Sequence, residues 1–281
     1  MSDDAAGGEG QWITVKVFST ESAAVSAALF EAGAQGVQET SDALIAHVPD
    51  QAMANALLCA ALEADPRARV ETEPLPNVDW SEQWKRGIHA QTVRTLTIVP
   101  PWLADGRDMD RTIVIEPAMA FGTGEHATTR GVVRLLHDVI RDGDRVADLG
   151  AGSAVLAIAA VKLGAARVAA IEIDHDAIGN AEENIARNGV ADRVSVLEGD
   201  AATLLPLVAP VRVITANILS SVLIVLLPVL SASLASDGEA ILSGILASER
   251  DEMVTELERS GWLIRAEDHE DAWWSTTIAR R

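Results

Sequence analysis

Apolar and polar residues follow two periods along this chain, alternating every second residue in short stretches and every third or fourth between them. Between residues 12 and 75 the pieces run WITVKVF, ESAAVSAALFEAG, GVQET, ALIAHV, QAMANALLCAALEA and RARVETEPL. That order of strand, helix, two strands, helix and strand predicts a small ferredoxin-like α+β domain over 11–75. Pro74, Pro76 and the polar stretch VDWSEQWKRG predict a boundary and a linking segment over 76–92. The acidic MSDDAAGGEG at 1–10 reads as a disordered lead.

From Val93 the pattern changes. TLTIVPPW and TIVIEP read as strands, followed by a glycine-rich loop, AFGTGEHATT. Beyond it, RVADLG, RVAAIEID, RVSVLEGD, VRVITANIL, EAILSGI, WLIRAED and WWSTTIA are candidate strands, with helical patterns between the first five and SERDEMVTELERSG before the last two. Such alternation predicts an α/β domain over 93–281 with a mostly parallel seven-stranded sheet and helices on both faces. Only a few residues separate the last two strands, so they form an antiparallel pair, since a parallel crossover needs a dozen or more.

At 281 residues with 48% hydrophobic and 23% charged side chains, the chain has enough apolar material for a small domain joined to a larger one. The longest apolar run, Ile218 to Leu234, is broken by Ser220, Ser221, Pro228, Ser231 and Ser233 and reads as a buried helix, not a membrane span. No secretory pattern opens the sequence, which points to the cytoplasm. The single cysteine, Cys59, has no disulfide partner and reads as a buried helix residue. A formal charge of −20 argues against an extended grip on nucleic-acid phosphate and favours either a basic protein partner or simple solubility.

The chemistry concentrates in VADLGAGSAVLAIAA, a strand, a turn with Gly150 and Gly152, and an apolar helix. Such glycines let a ligand approach the backbone, although a tight turn without ligand has the same look. A nicotinamide cofactor would want a third glycine where Val155 stands. Glu172, at the end of the next strand, suits two ribose hydroxyls with either cofactor. Asp200 in LEGD and Asn217 in ITANIL end the following strands and face the same crevice; each alone could be a turn or capping residue, but together they suit adenine and a methionine tail.

With these residues in view, the chain resembles the bacterial ribosomal protein L-eleven methyltransferase family over nearly its whole length. Phe121 to Gly124, His126, Thr128 and Thr129 carry the strongest likeness, supported by Ala216 to Leu219, Leu242 to Leu246, the Trp80/Trp84 linker and the two C-terminal arginines. The resemblance implies a class I methyltransferase with a Rossmann-like fold and S-adenosyl-L-methionine as cofactor. It implies cofactor contacts from Thr129, Gly150, Glu172 and Asn217, a small N-terminal domain that binds a ribosomal substrate, and a linker that lets the domains reorient. The full candidate cofactor set is Phe121, Thr123, Thr129, Gly150, Gly152, Glu172, Asp200 and Asn217. Ala154 stands where the family usually has glycine, Glu125 where it has a small residue, Ala127 where proline is usual, and Glu172 where aspartate is usual.

The expected reaction is methylation of lysine or N-terminal amino groups on a basic large-subunit ribosomal protein, without direct nucleic-acid or membrane contact and by a monomer. Asn217 is the candidate acceptor that aims the amine, beside the Ile218 carbonyl; His126 is either a general base or a holder of its loop. The histidines show no metal-ligand spacing, so no metal is expected. The chain has no tyrosine, and the aromatic motif that stacks planar amides and nucleobases is therefore missing, which favours an aliphatic amine. The tryptophans read as core or linker packing. The alternatives are the same fold acting on another protein lysine or a small molecule, and a cofactor-binding protein without catalysis.

Overall fold

The computed structural model describes residues 12–40, 42–74, 88–117 and 124–281. The lead at 1–10, Trp80 and Trp84 of the linking segment, and Phe121 and Thr123 lie outside these residues. The chain divides into two compact units, residues 1–87 and 88–281.

In the first unit the elements run β1 (Ile13–Phe18), α1 (Ser22–Glu31), β2 (Gln38–Glu39), β3 (Leu44–Val48), α2 (Gln51–Ala64) and β4 (Arg69–Pro74). The strands form an antiparallel sheet in the order β2-β3-β1-β4, the arrangement expected of a ferredoxin-like unit. Val15 and Val17 meet Val25 and Leu29 of α1 and Ala54, Leu57 and Ala61 of α2 in one core. The Asp50 carboxylate caps α2 by accepting from the Met53 N–H at 2.8 Å. Cys59, expected to be buried, is exposed. The face of α2 turned inward is set by Ala54, Leu57 and Ala61, and Cys59 falls on the other side.

The second unit opens with a small sheet of β5 (Gln91–Val93), β6 (Leu96–Val99) and β7 (Thr112–Val114), and continues through α3 (Ala127–Val139). Then come β8 (Arg145–Leu149), α4 (Val155–Lys162), β9 (Arg167–Glu172), α5 (His175–Arg187), β10 (Val194–Glu198), α6 (Ala201–Val208), β11 (Val211–Asn217), α7 (Ser220–Ser233), β12 (Leu234–Leu246), α8 (Arg250–Arg259), β13 (Trp262–Glu270) and β14 (Trp273–Arg280). The main sheet has seven strands in the order β10-β9-β8-β11-β12-β14-β13. Its first five are parallel, and β14 runs antiparallel between β12 and β13.

Alternate strand residues point to opposite faces, which explains the two cores. Val146, Val168, Ala170, Val213 and Ile241 join α3, α4, α5 and the small sheet. Ala147, Ile171, Ile214, Ala240 and Leu242 join α6, α7 and α8. The apolar run read as a buried helix is α7, but only one side of it is covered: Leu223, Leu226, Leu227 and Leu230 are buried while Val222 and Val225 face out. No helix among the described residues is long and apolar enough to cross a membrane. Chain order reverses at β8, whose neighbours are β9 and β11, and a crevice at the carboxyl ends of these strands is where such sheets bind ligands.

Candidate functional site

A cavity of about 770 Å³ opens at that reversal point, within the range of about 300–1,000 Å³ usual for small-molecule sites. Gly150 and Gly152 line it after β8, Glu172 after β9, Asp200 after β10 and Asn217 after β11, with Thr129 from the first turn of α3. The structure thus brings six of the eight candidate cofactor residues into one cavity, together with His126.

The glycine turn is held by the protein itself. The N–H groups of Gly150 and Ala151 donate to the Ile171 carbonyl at 2.9 and 3.1 Å, and that of Gly152 donates to Glu172 Oε2 at 2.8 Å. A phosphate cradle would need such amides aimed at an anion, and here the three are spent on protein acceptors beside a carboxylate. Gly150 has φ +68°, and a Cβ there would lie 2.5 Å from Ile218 Cγ2, so only glycine lets Ile218 close the floor of the cavity. Ala154 accepts φ +64° without being glycine and is fully buried.

Glu172 also accepts at Oε1 from the N–H groups of Ile173 and Asp174, at 2.8 and 2.9 Å. With three backbone donors on a carboxylate that has about four acceptor directions, one direction on Oε2 is left. Bonds to both ribose hydroxyls therefore require one of these donors to be exchanged. Asp200 caps α6, accepting at Oδ1 from the Thr203 N–H at 3.0 Å and hydroxyl at 3.2 Å, while still facing the cavity. The capping and the lining roles coexist.

Beneath the turn, the fully buried Asp148 accepts from the Thr215 hydroxyl at 2.7 Å and the Ala157 N–H at 3.0 Å. Burial pushes its pKa up to about 6; these two hydrogen bonds oppose the rise and the nearby Glu172 charge adds to it.

At the other wall, Asn217 Nδ2 donates to Thr128 Oγ1 at 3.1 Å, and Thr128 Oγ1 lies 2.7 Å from His126 Nδ1. His126 is the N-cap of α3, and its Nδ1 also accepts from the Thr128 N–H at 3.4 Å. Nδ1 is therefore an acceptor, which makes the Thr128 hydroxyl a donor to it and leaves the hydroxyl oxygen to accept from Asn217. Burial, helped by the Arg130 charge, lowers the His126 pKa and favours this neutral ring. The geometry supports the loop-holding role of His126.

Trp273, expected among core or linker residues, lines the cavity and meets the His126 ring edge-on at 4.9 Å between centroids. Arg130 and Arg134, one turn apart on α3, bind Glu270, and Arg134 forms a two-pronged pair with Asp268 at 2.7 Å on each arm. Arg130 also donates to the Glu125 carbonyl. The Glu125 side chain is exposed and accepts from the His89 N–H at 3.4 Å. Gly244 of the LSGIL motif lines the cavity at φ +81°, where a Cβ would stand 2.4 Å from the Ile218 carbonyl oxygen. Thr128 and Gly244 were visible in motifs without a role, and nothing in the sequence singled out Trp273.

The donor set fits an adenosyl ligand with an amino-acid tail. Thr129 Oγ1 is buried without a hydrogen-bond partner among the described residues, Glu172 has an acceptor direction in reserve, and the walls at Val155, Leu156, Ala177 and Leu226 are apolar. Among the described residues no group of histidine, cysteine and carboxylate side chains is arranged to hold a metal.

Comparison with known proteins agrees with this geometry. The family model for ribosomal protein L11 methyltransferase (PrmA) matches residues 11–281. A ribosomal protein L11 methyltransferase from Pelotomaculum thermopropionicum is 38% identical over 221 residues, covering 78% of this chain and 71% of its own. One from Sorangium cellulosum is 35% identical over 260 residues, covering 86% and 81%. The crystal structure of a ribosomal protein L11 methylase from Lactobacillus delbrueckii subsp. bulgaricus superimposes with a TM-score of 0.62 at 33% identity, covering 69% of this chain and 100% of that one. With a cavity of this shape on a sheet of this order and a family match along nearly its whole length, the chain belongs to the ribosomal protein L11 methyltransferase family.

Proposed function

We propose that this enzyme methylates lysine and N-terminal amino groups of ribosomal protein L11, with S-adenosylmethionine as donor and Asn217 as the residue that aims the amine. The observation that carries this reading is the fixed orientation of the Asn217 amide. Its Nδ2 is committed to Thr128 Oγ1, so Oδ1 is the acceptor left for an N–H group entering the cavity.

S-adenosylmethionine bound there supplies a methyl group already activated by a positive sulfur, so the chain has to bind, align and exclude water rather than provide a covalent catalyst. Thr129 and the first turn of α3 suit the amino-acid tail, Glu172 the ribose and Asp200 the base; Phe121 and Thr123 complete the proposed set from the glycine-rich loop. Neutralising a lysine with pKa about 10.4 near pH 7.4 costs roughly 4 kcal/mol, against under about 1 kcal/mol for an α-amino group near 8. An acceptor at Asn217 Oδ1, with the Ile218 carbonyl beside it, holds the amine N–H groups and points the lone pair inward.

Substrate recognition is assigned to the small α+β unit, and reorientation to the segment over 76–92. The charge of −20 favours a basic protein over ribosomal RNA as the surface addressed, and the enzyme is taken to act as a cytoplasmic monomer.

The test is transfer of labelled methyl from S-adenosylmethionine to purified, unmethylated L11, followed by mass spectrometry. Label on L11 lysines or its N-terminus is expected. Cofactor binding with no label on L11, alone or in ribosomal particles, would overturn the reading.

A further inference from the structure

Helix α5 presents Asn180 and Asn184 one turn apart, and Asn188 follows at its C-cap. Residues spaced by four share one face of a helix. Asn188 Oδ1 accepts from the Val114 N–H at 2.9 Å and its Nδ2 donates to the Val114 carbonyl at 2.7 Å. Asn184 Oδ1 accepts from the Glu116 N–H at 2.8 Å, and Asn180 Nδ2 donates to the Glu116 carbonyl at 3.4 Å. The Ile115 N–H points the other way, to the Val99 carbonyl at 2.9 Å. The amides thus take the place of a missing strand along residues 114–116, which lead toward the glycine-rich loop.

Asn184 does one thing more. Its Nδ2 donates to the Ser153 carbonyl at 3.2 Å, inside the cofactor turn, and the whole side chain is buried. The Ser153 carbonyl belongs to the peptide whose orientation sets φ of Ala154. That residue sits at φ +64°, a left-handed conformation disfavoured for any residue that carries a Cβ. Rotation of this peptide would relieve Ala154 but break the bond from its N–H to the Ala151 carbonyl at 2.8 Å, which belongs to the peptide whose Gly152 N–H holds Glu172.

We infer that Asn184 is a positioning residue that pins the Ser153–Ala154 peptide, holding the cofactor turn in its binding shape despite alanine at a left-handed position. The inference rests on the S-adenosylmethionine reading for its effect on affinity. The peptide coupling itself is read without cofactor. Asn188 provides the internal comparison, because it belongs to the same row of amides and does not touch the turn.

The experiment compares wild type, Asn184→Ala, Asn188→Ala, Ala154→Gly and the Ala154→Gly/Asn184→Ala double variant, by calorimetric binding of S-adenosylmethionine and by denaturation of the cofactor-free proteins. Loss of a buried hydrogen bond to the turn predicts about tenfold weaker binding for Asn184→Ala, with Asn188→Ala and Ala154→Gly within about twofold of wild type. In the Ala154→Gly background, where the turn is unstrained, the same Asn184 substitution costs less than about threefold. The cofactor-free midpoints show the same lack of additivity.

Unchanged affinity in Asn184→Ala, or an equal loss in both backgrounds, would overturn the inference. If Asn184→Ala folds only when combined with Ala154→Gly, the coupling is supported; if it folds in neither background, the residue serves global stability and the inference fails. A wild-type protein that does not bind S-adenosylmethionine would sink the cofactor reading, and the cofactor-free coupling would still decide this one.

Discussion

The Asn217 amide donates to the Thr128 hydroxyl at 3.1 Å, although the two residues lie on different elements and 89 positions apart. This bond decides which end of the amide is left facing the cavity. Asn217→Ala should lower methyl transfer by about a hundredfold or more, as expected when a reacting group loses its alignment, while the circular dichroism spectrum stays near wild type. Thr128→Val, which frees the amide to turn, should lower kcat by about tenfold with a smaller change in KM for S-adenosylmethionine. Steady-state kinetics of both variants provide the check, and full activity in Asn217→Ala would remove the residue from the mechanism.

Glu172 serves the turn before it serves any ligand, accepting from Gly152, Ile173 and Asp174. Glu172→Gln replaces one acceptor oxygen by a donor and sets it against a backbone N–H. It should therefore weaken S-adenosylmethionine binding by about tenfold and also lower the melting temperature, since a buried donor left unpaired costs about 1–3 kcal/mol. Isothermal calorimetry and thermal denaturation measure the two effects separately; an unchanged dissociation constant would count against the ribose assignment.

Gly244 gives the Ile218 backbone room to sit beside Asn217, and the Ile218 N–H donates to the Ser243 carbonyl at 3.2 Å. The Cβ of Gly244→Ala would press on the Ile218 carbonyl at 2.4 Å. We expect a loss of turnover of about a hundredfold from displacement of that carbonyl by an ångström or so, with S-adenosylmethionine still bound. Single-turnover kinetics would show it, and wild-type turnover would mean the carbonyl has no part in holding the amine.

Asp148 predicts an unusual pH response. Its pKa is raised by burial to about 6 from 3.8, so between these values the folded protein holds more protons than the unfolded chain. Stability from this group is therefore present at low pH and lost as pH rises through about 4 to 6, by an amount on the order of 2–3 kcal/mol. Asp148→Asn should lack that loss. Melting temperatures of variant and wild type, compared from pH 4 to 7, should separate in the variant's favour up to about pH 6 and then run parallel; a constant difference would show that Asp148 does not titrate there.

The alternation of strands and helices was legible because each of the parallel strands β8 to β11 carries its own run of Val, Ile, Leu and Ala and is closed by a polar or glycine residue that lines the crevice. Glu172, Asp200 and Asn217 were legible for the same reason, from their shared place at strand ends. The capping by Asp200 was open among the readings of the sequence and is found, whereas the clamping by Glu172 depends on backbone amides that no pattern reports. In MANALLCAALEA nearly every residue is apolar, so the sequence had no period with which to place Cys59 outside. The same lack of contrast hid the exposed side of α7. Trp273 reaches His126 only because β14 lies beside β12, and nothing in the spacing of Asn180, Asn184 and Asn188 reports that residues 114–116 lie against them.

The placement of β14 between β12 and β13 also makes one edge of the main sheet depend on a single strand. That strand is an interior one, and Trp273 at its start touches the ring that caps α3, while Asp268 and Glu270 of β13 grip α3 through its two arginines. β13 joins the sheet only through β14, and β14 through β12, so weakening β14 loosens both the tryptophan and the carboxylates that steady α3.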